Sequence, residues 1–179
     1  GEKRSKIPKS ERRSTITIVR SFIKSLYPLL IILLVIFLLR LPSFFEPHWY
    51  GDEEIYLVLG QMMRQGAILY RDIWDNKTPL LYFIYALSPT LFWAKLSATI
   101  CVLGTTFGVY KLSRNLLAAA LVGILLSLPL LEGSIANAEL YFTLPIVWGA
   151  YLIYQKRFWF LVGLLGAAAF LIKVPAIFD

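Results

Sequence analysis

Three consecutive acids, Asp52, Glu53 and Glu54, follow the first long apolar run of this chain. A carboxylate held beside a membrane can take a proton from an acceptor hydroxyl, which is general-base chemistry. The acids could also be structural. Asp52 at a helix start can cap the first amides, and acids in a first turn interact favourably with the helix dipole. The patch therefore predicts either a catalytic base or a helix start, and the neighbouring sequence has to distinguish the two.

Other ionisable residues cluster at the ends of the apolar segments. A lysine ammonium group binds phosphate, and a carboxylate accepts a proton or holds a cation. Beyond the acidic patch, the residues of this kind are Asp72, Asp75, Lys77, Glu132, Glu139 and Lys173. Acids and bases at one depth would suit a reaction between a lipid-linked phosphate and a hydroxyl.

The composition indicates an all-α polytopic membrane protein. Of 179 residues, 58% are hydrophobic and 16% are charged, which is more apolar than a typical soluble domain. Helices satisfy their own backbone hydrogen bonds within a bilayer. We expect about five transmembrane helices, the first retained because no small-residue cleavage site follows it. The predicted crossings are residues 25–41, 92–110, 116–131, 140–154 and 158–172.

The first external loop, residues 42–79, is predicted to contain interfacial helices. An amphipathic helix along the membrane surface begins near Asp52 and ends at Gly66,. Its expected apolar face is formed by Ile55, Val58, Leu59, Met62 and Met63, opposite Glu53, Glu54, Gln61, Arg64 and Gln65. Thr78 before Pro79 predicts the N-cap of a short re-entrant or interfacial helix over residues 80–88,.

The charge distribution predicts the topology. With residues 1–24 as a cytoplasmic basic tail, inner segments carry 12 of the 18 basic residues and outer segments carry 6. The inner set is Lys3, Arg4, Lys6, Lys9, Arg12, Arg13, Arg20, Lys24, Lys111, Arg114, Lys156 and Arg157. This positive-inside bias favours a cytoplasmic N-terminus in the plasma membrane, with the acidic patch facing outward. The net charge of +7 is therefore explained by membrane topology and does not indicate nucleic-acid binding.

Several stretches, taken in order, resemble the GT-C membrane glycosyltransferases, and more narrowly the protein O-mannosyltransferases and bacterial lipid A aminoarabinose transferases. The first external loop has an Asp-Glu pair at Asp52-Glu53, then a Gly-x-x-x-Tyr-x-Asp stretch over 66–72, then KTPL over 77–80. NAELYFTLP resembles the second external loop with its acid, Glu139, and FLIKVP resembles a later helix that ends in a lysine, Lys173. The likeness covers about residues 25–179, and we expect these to be the N-terminal part of a longer domain truncated at 179.

The resemblance implies inverting transfer of a sugar from a polyprenyl-phosphate carrier to an acceptor hydroxyl of a glycan, lipid or protein. Asp52 would be the general base, and Glu53 would orient it or hold the acceptor. The residues that would bind substrate or the lipid phosphate are Lys77, Lys173, Arg71 and Tyr70, and those that would form an acceptor or metal site are Glu139 and Asp75.

Three positions depart from the family pattern. Glu54 stands where many relatives have glycine, and Thr78 replaces the first proline of a common Pro-Pro pair. Asn76 occupies a position that is acidic and metal-binding in the aminoarabinose transferases. No metal site is therefore firmly predicted, and a divalent cation is the one cofactor kept open.

Two other function classes fit a membrane protein of this size. A transporter or flippase would carry ionisable residues near the bilayer midplane in broken helices, whereas here charges gather at helix ends. A non-catalytic membrane scaffold would show no dependence on Asp52 or Lys77. His48, the only histidine, is expected to be an interfacial hydrogen-bonding residue, and the Gly104–Gly108 pair is expected to allow close packing inside a helix bundle,.

Overall fold

In a computed structural model, residues 27–47 and 50–178 are described, with side chains up to residue 176. The predicted basic tail, His48 and Trp49 lie outside these residues. The described part is helical and contains no strand beyond one isolated bridge, Leu69 to Ile73, so the all-α prediction is confirmed there. The helices are α1 (Tyr27–Phe45, with a final 3-10 turn), α2 (Gly51–Arg64), α3 (Pro79–Ala86), α4 (Leu91–Ser113), α5 (Leu116–Leu125), α6 (Ala138–Tyr154) and α7 (Trp159–Ile172).

Helix α4 packs against both α5 and α6, and α6 in turn packs against α7. Two glycines one turn apart allow α6 to approach α4 closely. A Cβ atom on Gly104 would lie 2.8 Å from the Leu144 side chain, and one on Gly108 would lie 2.8 Å from Val147. The indole of Trp148 donates a hydrogen bond to the Gly104 carbonyl at 3.1 Å. The prediction that this glycine pair serves close packing is confirmed.

Arg40 links α1 to the rest of the bundle. Its guanidinium is 1% exposed and donates to Thr99 Oγ1 on α4 at 2.9 Å. It also donates to the carbonyls of Leu126, at 3.0 Å, and Gly133. Because buried charge is costly without partners, these bonds hold the C-terminal end of α1 against α4 and the segment after α5.

Helices α2 and α3 form a close pair beside the bundle. Gly60 lies so near the main chain of α3 that a Cβ atom there would be 2.6 Å from the Tyr85 carbonyl carbon. Arg64 Nη1 donates to the carbonyls of Tyr85, Ala86 and Ser88 at 3.0 to 3.3 Å, which satisfies carbonyls that the end of α3 leaves open. Gly66 has φ +97° and follows Gln65, the C-cap of α2, in keeping with a helix end at this glycine.

The side of α2 that the protein buries differs from the predicted apolar face. Glu53 is 2% exposed, whereas Val58 and Ile55 are about half exposed. The buried face instead carries Glu53, Tyr56, Leu57, Leu59 and Gly60. The cause is tertiary, because Glu53 has charged and amide partners inside the protein. Asp52 is also not a cap: the N-cap position is Tyr50, and Asp52 lies within the first turn.

Helix α5 is shorter than predicted. It ends at Leu125 and is followed by a separate 3-10 turn, Pro129–Leu131, instead of continuing to Leu131. Pro129 cannot donate a helical hydrogen bond, and the chain reverses at Glu132, which has φ 57°. The 132–137 segment that follows packs against α2 and α3.

By length and composition, two helices of the described part can cross a membrane: Tyr27–Phe45 and Leu91–Ser113. Helices α5 and α7 are apolar but shorter. Five crossings therefore stay a prediction.

Substituting Gly60 tests the α2–α3 contact. Gly60→Ala should destabilise the folded protein by about 1–3 kcal/mol, because the added methyl group meets the α3 main chain, which cannot give way as a side chain could. Gly163→Ala is the matched control, since its Cβ meets no described atom within 4 Å, and helix propensity should make it neutral or mildly stabilising. Thermal unfolding in detergent measures both. Equal unfolding temperatures for the two variants would contradict the close contact.

Candidate active site

Glu53 belongs to a buried ionic network. Its Oε1 accepts the Ala136 amide at 2.5 Å, and its Oε2 lies 3.5 Å from Lys95 Nζ. Lys95, 1% exposed, also contacts Glu46 Oε2 at 3.0 Å and donates to the Ser134 carbonyl at 3.3 Å. Four separate parts of the chain meet at this lysine or its partners. Through Lys95 and the Ala136 amide, Glu53 ties the start of α2 to α4 and to the 134–136 segment.

The protonation of Glu53 reflects two opposed effects. Burial raises the pKa of Glu53, while the Ala136 amide and then Lys95 act in the opposite direction. The net direction is upward, because removing the carboxylate from water costs more than these partners return.

Asp52 faces a different environment, although it is the next residue along the chain. It is half-buried, and its Oδ2 accepts a hydrogen bond from the Tyr56 hydroxyl one turn later, at 3.3 Å. Burial first, and then the charge of Asp52, raise the pKa of Tyr56, so this phenol stays protonated and donates. Asp52 is thus an oriented carboxylate that remains accessible, as a general base requires.

A set of buried tyrosines connects Asp52 to the loop before α3. The Tyr56 ring makes edge contacts with Tyr82 and Tyr85, with centroids 6.0 and 5.5 Å apart. The Tyr82 hydroxyl donates to Asp75 Oδ2 at 2.8 Å and accepts the Lys77 amide at 3.2 Å. Asp75 Oδ1 accepts the Asn76 amide at 2.7 Å, so both carboxylate oxygens of Asp75 hold the loop.

Lys77 and Lys173 line one cavity of about 180 Å³, together with Asn76, Thr78, Val174 and Pro175. Lys77 comes from the loop before α3, and Lys173 directly follows α7. Among the described residues, the Lys77 ammonium has no hydrogen bond or ion pair. Two lysines that line one small cavity are suited to bind an anion such as a phosphate.

Lys173 also forms an ion pair with Glu139 in the first turn of α6. Glu139 and Glu132 line a second cavity of about 260 Å³, in which Asn137 donates to Glu132 Oε2 at 3.3 Å. Glu139 therefore lies between a basic cavity and an acidic one. No three His, Cys, Asp or Glu side chains come together as metal ligands within the described residues, so the divalent cation stays a prediction.

Arg71 and Tyr70 are not among the residues that line the two-lysine cavity. Arg71 is exposed and pairs with the neighbouring Asp72 at 2.8 Å. The Tyr70 hydroxyl donates to the main-chain carbonyl of Lys77 at 2.5 Å. Tyr70 thus contacts the main chain of the phosphate-ligand candidate, and both remain predicted as binding residues.

Glu53 can be tested through the pH dependence of stability. Its folded pKa lies above the ordinary 4.5, so its contribution to stability is largest below pH 4.5 and is lost as pH rises through the folded pKa. Glu53→Gln should match wild type at pH 4 and become the more stable of the two towards pH 8. Glu53→Ala should lose about 1–3 kcal/mol, because the buried Ala136 amide is left without an acceptor. Unfolding temperatures measured across this range check both variants, and a pH-independent difference for Glu53→Gln would contradict the raised pKa.

The predicted site residues differ in how available they are. Asp52, Lys77, Lys173 and Glu139 lie at cavities or keep accessible atoms. Glu53 is engaged inside the protein, and both carboxylate oxygens of the partly buried Asp75 accept hydrogen bonds. Sequence analysis assigned no role to Lys95, although a charge inside an apolar helix is the signal that marks it. A comparison with protein families, curated proteins and solved structures finds no match for this chain.

Proposed function

We propose that this protein is a membrane glycosyltransferase of GT-C type. It transfers a sugar from a polyprenyl-phosphate carrier to an acceptor hydroxyl, with inversion, at the outer face of the plasma membrane. The observation that carries the proposal is the cavity shared by Lys77 and Lys173. The loop that supplies Lys77 also follows the helix that carries Asp52, so a cation pair and a candidate base belong to one region of the fold.

The arrangement of charged pairs supports the proposed topology of five crossings and a cytoplasmic N-terminus. Arg40, at the end of α1, contacts residues near the start of α4 and after α5. Lys173, at the end of α7, contacts Glu139 at the start of α6. With α1, α4, α5, α6 and α7 crossing in turn, all these helix ends lie on the outer side, level with the first external loop. Charges at helix ends also avoid the high cost of the bilayer centre, which favours an enzyme over a transporter.

The reaction is a single displacement at the anomeric carbon. Asp52 takes the proton of the acceptor hydroxyl, and the resulting oxygen nucleophile forms the new glycosidic bond. The bond between the anomeric carbon and the phosphate oxygen breaks, and its electron pair leaves with the polyprenyl phosphate. Lys77 and Lys173 stabilise the charge that develops on this leaving phosphate. Attack opposite the departing group inverts the anomeric configuration.

Removing the base tests the proposal directly. In the full-length protein, Asp52→Asn should lower the transfer rate by about 10²–10⁴-fold, the range expected for loss of general-base catalysis. Glu54→Gln is the matched control, since it removes another carboxylate of the same turn and should leave the rate near that of wild type. Transfer is assayed in detergent with a panel of polyprenyl-phosphate sugars. Equal rates for Asp52→Asn and wild type would remove Asp52 as the base.

The two lysines should contribute to donor use. Lys77→Ala should reduce kcat/KM for the donor by about tenfold to a hundredfold, because a charge-assisted contact to the phosphate is lost. Lys173→Ala should act in the same direction. Lys111→Ala provides the control, because this lysine lies in the last turn of α4, over the Phe107 ring, and does not line the cavity. A loss of activity as large in Lys111→Ala as in Lys77→Ala would argue against a specific role of the cavity.

A further inference from the structure

We infer that Tyr82 and Tyr70 are positioning residues that hold the main chain of Lys77 and thereby set where its ammonium group lies in the cavity. The inference rests on the proposed role of Lys77 as the ligand of the donor phosphate. It assigns functions to a buried tyrosine of α3 and to a half-exposed tyrosine of the loop, neither of which needs to touch the substrate.

The two hydroxyl groups form hydrogen bonds with the main-chain amide and carbonyl of Lys77. The Lys77 amide donates to the Tyr82 hydroxyl at 3.2 Å. The Lys77 carbonyl accepts from the Tyr70 hydroxyl at 2.5 Å. The main chain of Lys77 is therefore held from both sides by side chains that belong to different parts of the chain.

Each tyrosine is itself fixed. Tyr82 is fully buried, packs edge-on against Tyr56 at 6.0 Å, and donates to Asp75 Oδ2 at 2.8 Å. Tyr70 has a left-handed backbone, φ 65°, and its amide donates to the Ile73 carbonyl at 2.7 Å. A non-glycine residue in this conformation is retained only where its surroundings stabilise it.

Fixing the main chain matters because a lysine side chain is long and flexible. A free ammonium group on a mobile loop loses much of its binding energy to ordering the loop, whereas a pre-organised one does not. Lys173 has a different support, its ion pair with Glu139. The tyrosine contacts thus account for how Lys77 keeps its place with no ionic partner in the described part of the chain.

Phosphate binding tests the inference without relying on turnover. The probe is farnesyl monophosphate, titrated calorimetrically into the full-length protein in detergent. Tyr82→Phe and Tyr70→Phe should each weaken binding by roughly tenfold, the effect of losing one main-chain anchor. Tyr85→Phe is the matched control, since this buried tyrosine of α3 donates to the Ala136 carbonyl at 2.6 Å and does not contact Lys77. It should bind within about twofold of wild type.

Combination with Lys77→Ala separates positioning from general destabilisation. If the tyrosines act through Lys77, then Tyr82→Phe and Tyr70→Phe should have no further effect on affinity once the ammonium group is gone. An equal loss in both backgrounds would overturn the inference, as would wild-type affinity in both single variants. Tyr70 is half exposed, so Tyr70→Phe should leave the fold intact. It therefore still tests the inference if Tyr82→Phe does not fold.

A parallel transfer assay distinguishes this inference from the proposed function. Binding that depends on Lys77 and both tyrosines, in a protein that transfers no sugar from any donor, supports the inference and contradicts the glycosyltransferase. Active transfer with full activity in both tyrosine variants contradicts only the inference. A wild-type protein that does not bind the prenyl phosphate overturns the inference whatever the transfer assay gives.

Discussion

The fold depends on the need to compensate a lysine that is buried at the start of a long apolar helix. Lys95 cannot reach water, and an isolated buried ammonium group would be strongly unfavourable. Its partners come from three places: Glu46 after α1, Glu53 in α2, and the Ser134 carbonyl after α5. Satisfying this one charge therefore brings the 46–53 segment and the 132–137 segment together at the same end of α4. Arg40, which bonds the carbonyls of Leu126 and Gly133, strengthens the same junction.

This ionic network also determines where Asp52 can lie. Successive residues of a helix point about 100° apart, so a helix that turns Glu53 into the protein must turn Asp52 away from Lys95. Asp52 then meets Tyr56 and the tyrosine set that leads to Asp75 and Lys77. Two adjacent acids thus acquire different tasks from geometry alone. One compensates a buried cation, and the other stays accessible, so the integrity of the network is a condition for the proposed chemistry.

The sequence was informative where local rules dominate. Helix α2 and its end just before Gly66, the start of α3 at Pro79, and the close packing at Gly104 and Gly108 all follow from spacing and residue type. It failed where tertiary partners decide the outcome. Periodicity showed that α2 has an apolar face, but it could not tell whether protein or surroundings would cover that face. Glu53 was buried by partners distant in sequence, and no local pattern reveals a salt bridge to Lys95. Sequence analysis likewise did not select Tyr82, because its role depends on which groups its hydroxyl bonds in the folded protein.

The two lysines of the cavity illustrate two ways of supplying positive charge. Lys77 has a main chain held by hydroxyl groups and no ionic partner in the described part of the chain, so its charge is available without breaking a pair. Lys173 is already paired with Glu139, and binding a phosphate there requires that this pair be shared or exchanged. Both side chains of this pair are partly exposed to water, so exchanging it costs less than breaking a fully buried pair. The released carboxylate would lie at the acidic cavity that Glu139 lines. In the proposed enzyme, donor binding at the basic cavity is therefore coupled to the Lys173–Glu139 ion pair, whereas the position of Lys77 is established before the donor arrives.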